Sequence, residues 1–138
     1  MPVIVLVDTD VLVDLALGRA PHADDAAALL DALERGAARG FVAWHMASSF
    51  FYLVSARQGA AATRRFIDDL MRFIDIAPTT TVHLRAALAL TLKDFEDAMQ
   101  VGAALACGAE VIATRNTRDF RKSPIPALTP AQLVAQLT

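Results

Sequence analysis

Apolar residues run unbroken from Val3 to Val7 and stop at Asp8, a short β-branched stretch with apolar side chains on both faces, as in a central strand of a parallel sheet. Beyond it the pattern turns helical. A short helix runs through Leu12, Leu15 and Ala16, a turn follows at Gly18 to Pro21, and a long helix starts at about Asp24. In that helix Ala26, Leu29, Leu30, Leu33 and Ala37 follow the helical period, while Asp24, Asp31 and Glu34 fall elsewhere; Gly36 and Gly40 mark its end. Phe41-Val-Ala-Trp44 predicts a second strand, and the helix after it, through Phe50, Leu53 and Val54, stops near Gly59. A further helix carries Phe66, Leu70 and Phe73, with a strand at Phe73 to Ile76 ahead of Pro78. Helical spacing resumes through Val82, Leu84, Leu88 and Leu92, then from Phe95 through Met99, Gly102 and Leu105. Glu110 to Ala113 is the clearest later strand. Pro124 and Pro126 fix an extended link, Ala127-Leu128 adds an edge strand, and Thr129-Pro130 caps a final helix.

Strands alternating with helices, without hairpin signals, predict an α/β fold whose parallel sheet is covered by helices on both faces. In such sheets ligands bind beyond the carboxyl ends of the strands, where Asp8 and the segment Thr114 to Asp119 fall. A carboxylate at the end of a rigid strand suits a metal ligand; Asp8 would serve equally as a helix cap. Asp10 is a weaker candidate, and Asp14, further along a short helix, is expected to face solvent. Asp94 and Asp97 stand on one side of a predicted first helical turn, as a metal-binding pair or as a cap with its first-turn anion. Asn116 and Asp119 are common turn formers as well as oxygen donors. Gathered at one edge, these groups repel one another unless a cation or proton intervenes, and they offer the hard oxygens that Mg²⁺ or Mn²⁺ prefers.

Composition narrows the picture. The length of 138 residues fits one domain, expected to span residues 1–138, and 55% apolar against 20% charged residues leaves no stretch polar enough to stay unfolded. The longest apolar stretches, such as Ala98 to Ala109, fall short of the roughly 20 residues of a bilayer span. Val3 to Val7 lacks the basic flank and length of a signal peptide, so a cytoplasmic protein without membrane attachment is expected. A formal charge of −2 gives no general attraction for nucleic acid. Any such binding needs a local patch, for which Arg115, Arg118, Arg121 and Lys122 are candidates; an ordinary solvated loop would look the same. Cys107, without a Cys or His at ligand spacing, reads as a small core residue. His22, His45 and His83 read as structural or surface groups. Phe50, Phe51, Tyr52 and Phe66 are candidates for the core or for an interface.

Val-Asp8-Thr, Asp94-Phe-Glu-Asp97-Ala and Thr114-Arg-Asn116-Thr-Arg-Asp119-Phe120, with Pro124-Ile-Pro126 and Thr129-Pro130 behind them, occur in an order and at separations that resemble the PIN-domain nucleases, especially the VapC-type toxins of bacterial toxin–antitoxin pairs. That resemblance implies a three-layer α/β/α sandwich with a central parallel sheet and Mg²⁺-dependent endoribonuclease cleavage, with Mn²⁺ as a substitute ion. It implies Asp8, Asp97 and Asp119 as catalytic and metal-binding acids, with Asn116, Asp94, Thr114 and Ser49 in support and Arg115, Arg118 and Arg121 positioning RNA. It also implies a small antitoxin partner and a homodimer formed through helices. The family usually places another acid at the start of the helix after the second strand, whereas here Ser49 falls at that place. Ser49 supplies no charge and binds Mg²⁺ more weakly than a carboxylate; Asp10, Glu96 or a water held by Ser49 are the candidates to compensate. Two rival readings follow: a degenerate RNA- or protein-binding module of the same fold, and a phosphatase of the haloacid dehalogenase class, whose Asp-x-Asp motif Asp8-Thr-Asp10 resembles.

Overall fold

The computed structural model describes residues 2–138. The apolar run becomes β1 (Ile4–Val7), flanked by β2 (Arg39–Val42) and β4 (Val111–Ala113), with β3 (Ile74–Ile76) and β5 (Ala127–Leu128) at the edges. Every pairing is parallel, in the order β3-β2-β1-β4-β5. Successive residues of a strand face opposite sides, and β1 shows it: Val5 and Val7 join one apolar core and Leu6 the other.

Helices α1 (Thr9–Leu17), α2 (His22–Glu34), α3 (Met46–Gln58), α4 (Ala60–Leu70) and α7 (Pro130–Leu137) contribute to the first core through Leu12, Leu29, Phe50, Leu70 and Leu133. Phe50 is fully buried there and stacks on Phe66 at 5.1 Å. The opposite face is covered by α6 (Phe95–Cys107) through Val101, Ala103 and Ala104, and α5 (Thr81–Ala89) packs on α6. Gly102 allows that packing: a Cβ on it would lie 2.9 Å from the His83 carbonyl oxygen. This is the expected three-layer α/β/α sandwich.

Several boundaries differ from expectation for packing reasons. Strand β2 begins at Arg39, whose N–H bonds Val3, so Gly40 is a strand residue pressed against Leu33 and Ile74 rather than a helix stop. Trp44 lies beyond the strand and is 73% exposed. Helix α2 starts earlier, at His22; α4 ends at Leu70, short of Phe73; and α5 ends before Leu92. The final helix starts as expected, with Thr129 and Gln132 forming a reciprocal cap around Pro130. Among the described residues no helix is long and apolar enough to cross a membrane.

The strand order has a functional consequence. From β1 the chain moves to β2 and β3 on one side and returns as β4 and β5 on the other, so the crevice of this sheet opens where the carboxyl ends of β1 and β4 lie side by side.

Candidate metal centre

Asp8 stands at the cap position of α1, yet its side chain makes no capping bond. Its Oδ2 instead accepts a hydrogen bond from Thr114 Oγ1 at 2.8 Å. The two are brought together by the sheet: Val7 pairs with Ala113, and the Asp8 N–H bonds the Ala113 carbonyl at 2.9 Å. Thr114 Oγ1 also lies 3.4 Å from Asp10 Oδ2 while accepting from the Asn116 N–H at 3.1 Å. One hydroxyl proton serves one carboxylate at a time. Asn116 Nδ2 donates to Asp10 Oδ2 at 3.1 Å, and Asp10 Oδ1 is buried with no partner.

The start of α6 provides the second wall. Asp94 caps that helix, accepting from the Asp97 N–H at 3.2 Å, so the capping role raised by the sequence is real and coexists with a place in the cleft. The cleft, of about 300 Å³, is lined by the carboxylates of Asp8, Asp10, Asp94, Glu96, Asp97 and Asp119 together with Asn116. Its lining cations are Arg19 and Arg115. Burial, and then the charge of Asp10, push the Asp8 carboxyl up to about 8 despite the Thr114 hydrogen bond. Burial also raises Asp10, against the pull of Arg115. Asp97 is pushed up to about 6, first by burial and then by Asp94, Asp119 and Glu96.

Asp14 corrects the sequence reading. It does not face solvent: it is 1% exposed, with Arg115 Nε 2.9 Å from its Oδ2 and Arg19 Nη1 3.9 Å from its Oδ1. The Arg115 contact is ionic, since the Nε–H is not directed at an acceptor. Arg118 and Arg121 are exposed and do not line the cleft. Ser49 is half-buried on the first turn of α3 and does not line the cleft either; Leu53, one turn later, does.

None of the histidines lines the acid cleft, although His22 borders a neighbouring pocket with Asp14 and Asp25 and His45 feels the charge of Glu96. His83 caps α5 by accepting from the Thr80 N–H, and His45, lowered by burial, borders an apolar cleft beside Trp44. Behind the acids, the fully buried Gln100 donates to Thr9 Oγ1 at 3.1 Å and lies 3.4 Å from His45 Nε2. Burial raises the half-buried Cys107 thiol, as befits a packing residue.

The residues present fit a hard divalent cation. Negative groups outnumber positive ones in the lining, two carboxyls are held well above their ordinary range, and a buried carboxylate oxygen has no partner. Among the described residues no three His, Cys, Asp or Glu side chains gather closely enough to hold an ion alone. Mg²⁺ is commonly held by one or two carboxylates with water completing its shell, which this arrangement can provide.

A parallel sandwich with an acid-lined crevice at its switch point defines the class of protein. A family model described as PIN domain matches residues 4–118, and the chain belongs to that family. The tripeptide likeness to haloacid dehalogenases has no such support. Among solved structures, VapBC2 of Rickettsia felis, bound to a DNA fragment from its promoter, superposes with a TM-score of 0.71 at 16% identity, covering 91% of this chain and 98% of the other. FitAcB from Neisseria gonorrhoeae gives 0.65 at 15% identity over 91% and 97%. VapC20 of Mycobacterium tuberculosis, a toxin that cleaves the sarcin-ricin loop, gives 0.62 at 16% over 78% and 86%. At this identity the likeness speaks for the fold. No curated protein matches at the level of sequence.

Proposed function

We propose that this chain, acting as one unit in the cytoplasm, is a metal-dependent endoribonuclease and the toxin of a toxin–antitoxin pair. The observation that carries the reading is the meeting of Asp8 and Asp10 with Asp94, Asp97 and Asp119 in one cleft at the β1/β4 switch point. In it Asp8, Asp97 and Asp119 would hold Mg²⁺ or Mn²⁺ jointly with water, one or two of them directly, and the ion would supply a Lewis acid for water activation and for the charge on the scissile phosphate. Thr114 and Asn116 fix the carboxylates of Asp8 and Asp10, and Asp94 fixes the first turn that carries Asp97. Arg118 and Arg121 approach the RNA backbone from the exposed loop. Arg115, committed to Asp14, acts chiefly by holding that loop to α1.

The partner is an antitoxin, as in the VapBC and FitAB assemblies of similar fold. A second copy of the chain docks through helices. The exposed apolar residues Trp44, Val82, Leu84 and Leu88 supply surface for such contacts.

Purified total RNA, incubated with wild type, Asp8→Asn and Asp97→Asn in Mg²⁺, Mn²⁺ or EDTA, tests the reading. Discrete fragments are expected from wild type alone and only with metal; wild-type rates in either variant would sink the assignment. Ser49 favours a second reading, a binding module that no longer cleaves, because it adds no carboxylate to the cleft. Inactive wild-type protein made active by Ser49→Glu would establish that alternative.

A further inference from the structure

An acidic cleft repels the phosphates it has to hold, and the chain's net charge of −2 offers no general compensation. Affinity for a nucleic acid strand therefore needs contacts that do not depend on net charge. Phe95 is placed to make one. It is the first residue of α6, set between Asp94 and Glu96, which both line the cleft; Phe95 itself stands beside that lining rather than in it and is 49% exposed. Lys93, just before the cap, lines an adjoining pocket of about 310 Å³ with Asp94, Asp97 and Asp119. An aromatic ring, a cation and one candidate metal-binding acid, Asp97, thus share one short turn. Val13 and the 46% exposed Leu53 bring apolar surface into the lining itself.

We propose that Phe95 is a substrate-positioning residue on whose ring a nucleotide base flanking the cleaved phosphate stacks at the edge of the cleft, with Lys93 contacting the phosphate on that side. The proposal rests on the nuclease reading and adds to it the means by which an acidic site retains a polyanion. Stacking on an aromatic side chain is tolerant of base identity and independent of charge, which suits this surroundings. Lys93 contributes a single phosphate contact, so the salt dependence of binding is shallow.

A short single-stranded RNA containing 2-aminopurine tests it, with binding in Mg²⁺ read as fluorescence quenching before turnover and cleavage of total RNA measured on the same preparations. Phe95→Leu keeps apolar surface but removes the ring; it is expected to weaken binding by about 5- to 100-fold, raise KM more than it lowers kcat, and abolish the quench. Phe95→Trp is expected to preserve all three. Lys93→Gln lowers the salt slope of binding by about one. Since Phe95 is half exposed, these variants fold, which thermal melts verify. Wild-type affinity and quenching in Phe95→Leu, alongside intact cleavage, would overturn stacking and leave the nuclease standing. Wild type that neither binds nor cleaves would overturn both.

Discussion

Asp8 and Asp14 bracket one short helix, and both are buried, at 7% and 1% exposure. Their surroundings are opposite. Asp14 has two guanidinium groups within 4.0 Å and ties α1 to the loop after β4. Asp8 has a neutral hydroxyl on one side and further carboxylates on the other. Burial therefore does not set these two acids apart; compensation does. The paired carboxylate holds the fold together, and the unpaired one is retained at a cost that a cation would offset.

The sharpest way to break this contrast is to neutralise each acid in turn. Asp8→Asn is expected to reduce cleavage at least about 1000-fold while leaving the metal-free protein at pH 8 as stable as wild type or more so, by roughly 5–10 °C in Tm. A lower Tm in that variant would make Asp8 a structural residue. Asp14→Asn should do the reverse, destabilising by about 2–4 kcal/mol, because it strands the partly buried Arg115 charge. Chemical denaturation checks it; an unchanged midpoint would show that the ion pair is dispensable.

A pH series sharpens the same comparison. Native Asp8 keeps its proton up to about pH 8, whereas the unfolded carboxyl, with its model value of 3.8, releases it far earlier. Between those values the unfolded state binds fewer protons, so the stability of metal-free protein falls as pH rises from about 4 to about 8. Asp97, raised to about 6, acts in the same direction and more weakly because it is more accessible. Mg²⁺ should restore stability most at the alkaline end, where it no longer competes with a proton. Thermal melts that are flat with pH would contradict this. A smaller effect belongs to Thr114→Val, which removes the hydroxyl that serves Asp8 and Asp10 and should weaken Mg²⁺ affinity about 10- to 100-fold. Calorimetric titration measures it, and unaltered affinity would reduce Thr114 to a packing residue.

Much of this was legible in the chain because strand ends are local signals. The run Val3 to Val7 gave away both β1 and the placement of Asp8, and Asp94-Phe-Glu-Asp97 marked the first turn of α6. Asp14 was misread because helical spacing alone does not say how many sides of a helix are covered. The consecutive Val11, Leu12 and Val13 held that signal, since a helix apolar around most of its circumference leaves little room for a solvent face. Arg19, Val13 and Leu53 enter the cleft only through packing of α1 and α3 against the sheet, which no local pattern announces. The shift of β2 towards Arg39 was likewise tertiary: a glycine that looks like a helix stop was needed where Leu33 and Ile74 crowd the strand.

The hydrogen bond between Thr114 and Asp8 joins positions 106 residues apart. Closing so long a loop is entropically costly and delays folding, and nothing local rewards it until β4 docks beside β1. A chain folded only through its first three strands would carry Asp8 without Thr114, Asn116 or Asp119, its acids scattered. The acid-lined cleft is consequently among the last parts to come into being, so on the proposed nuclease reading a half-made copy would have no site with which to cut.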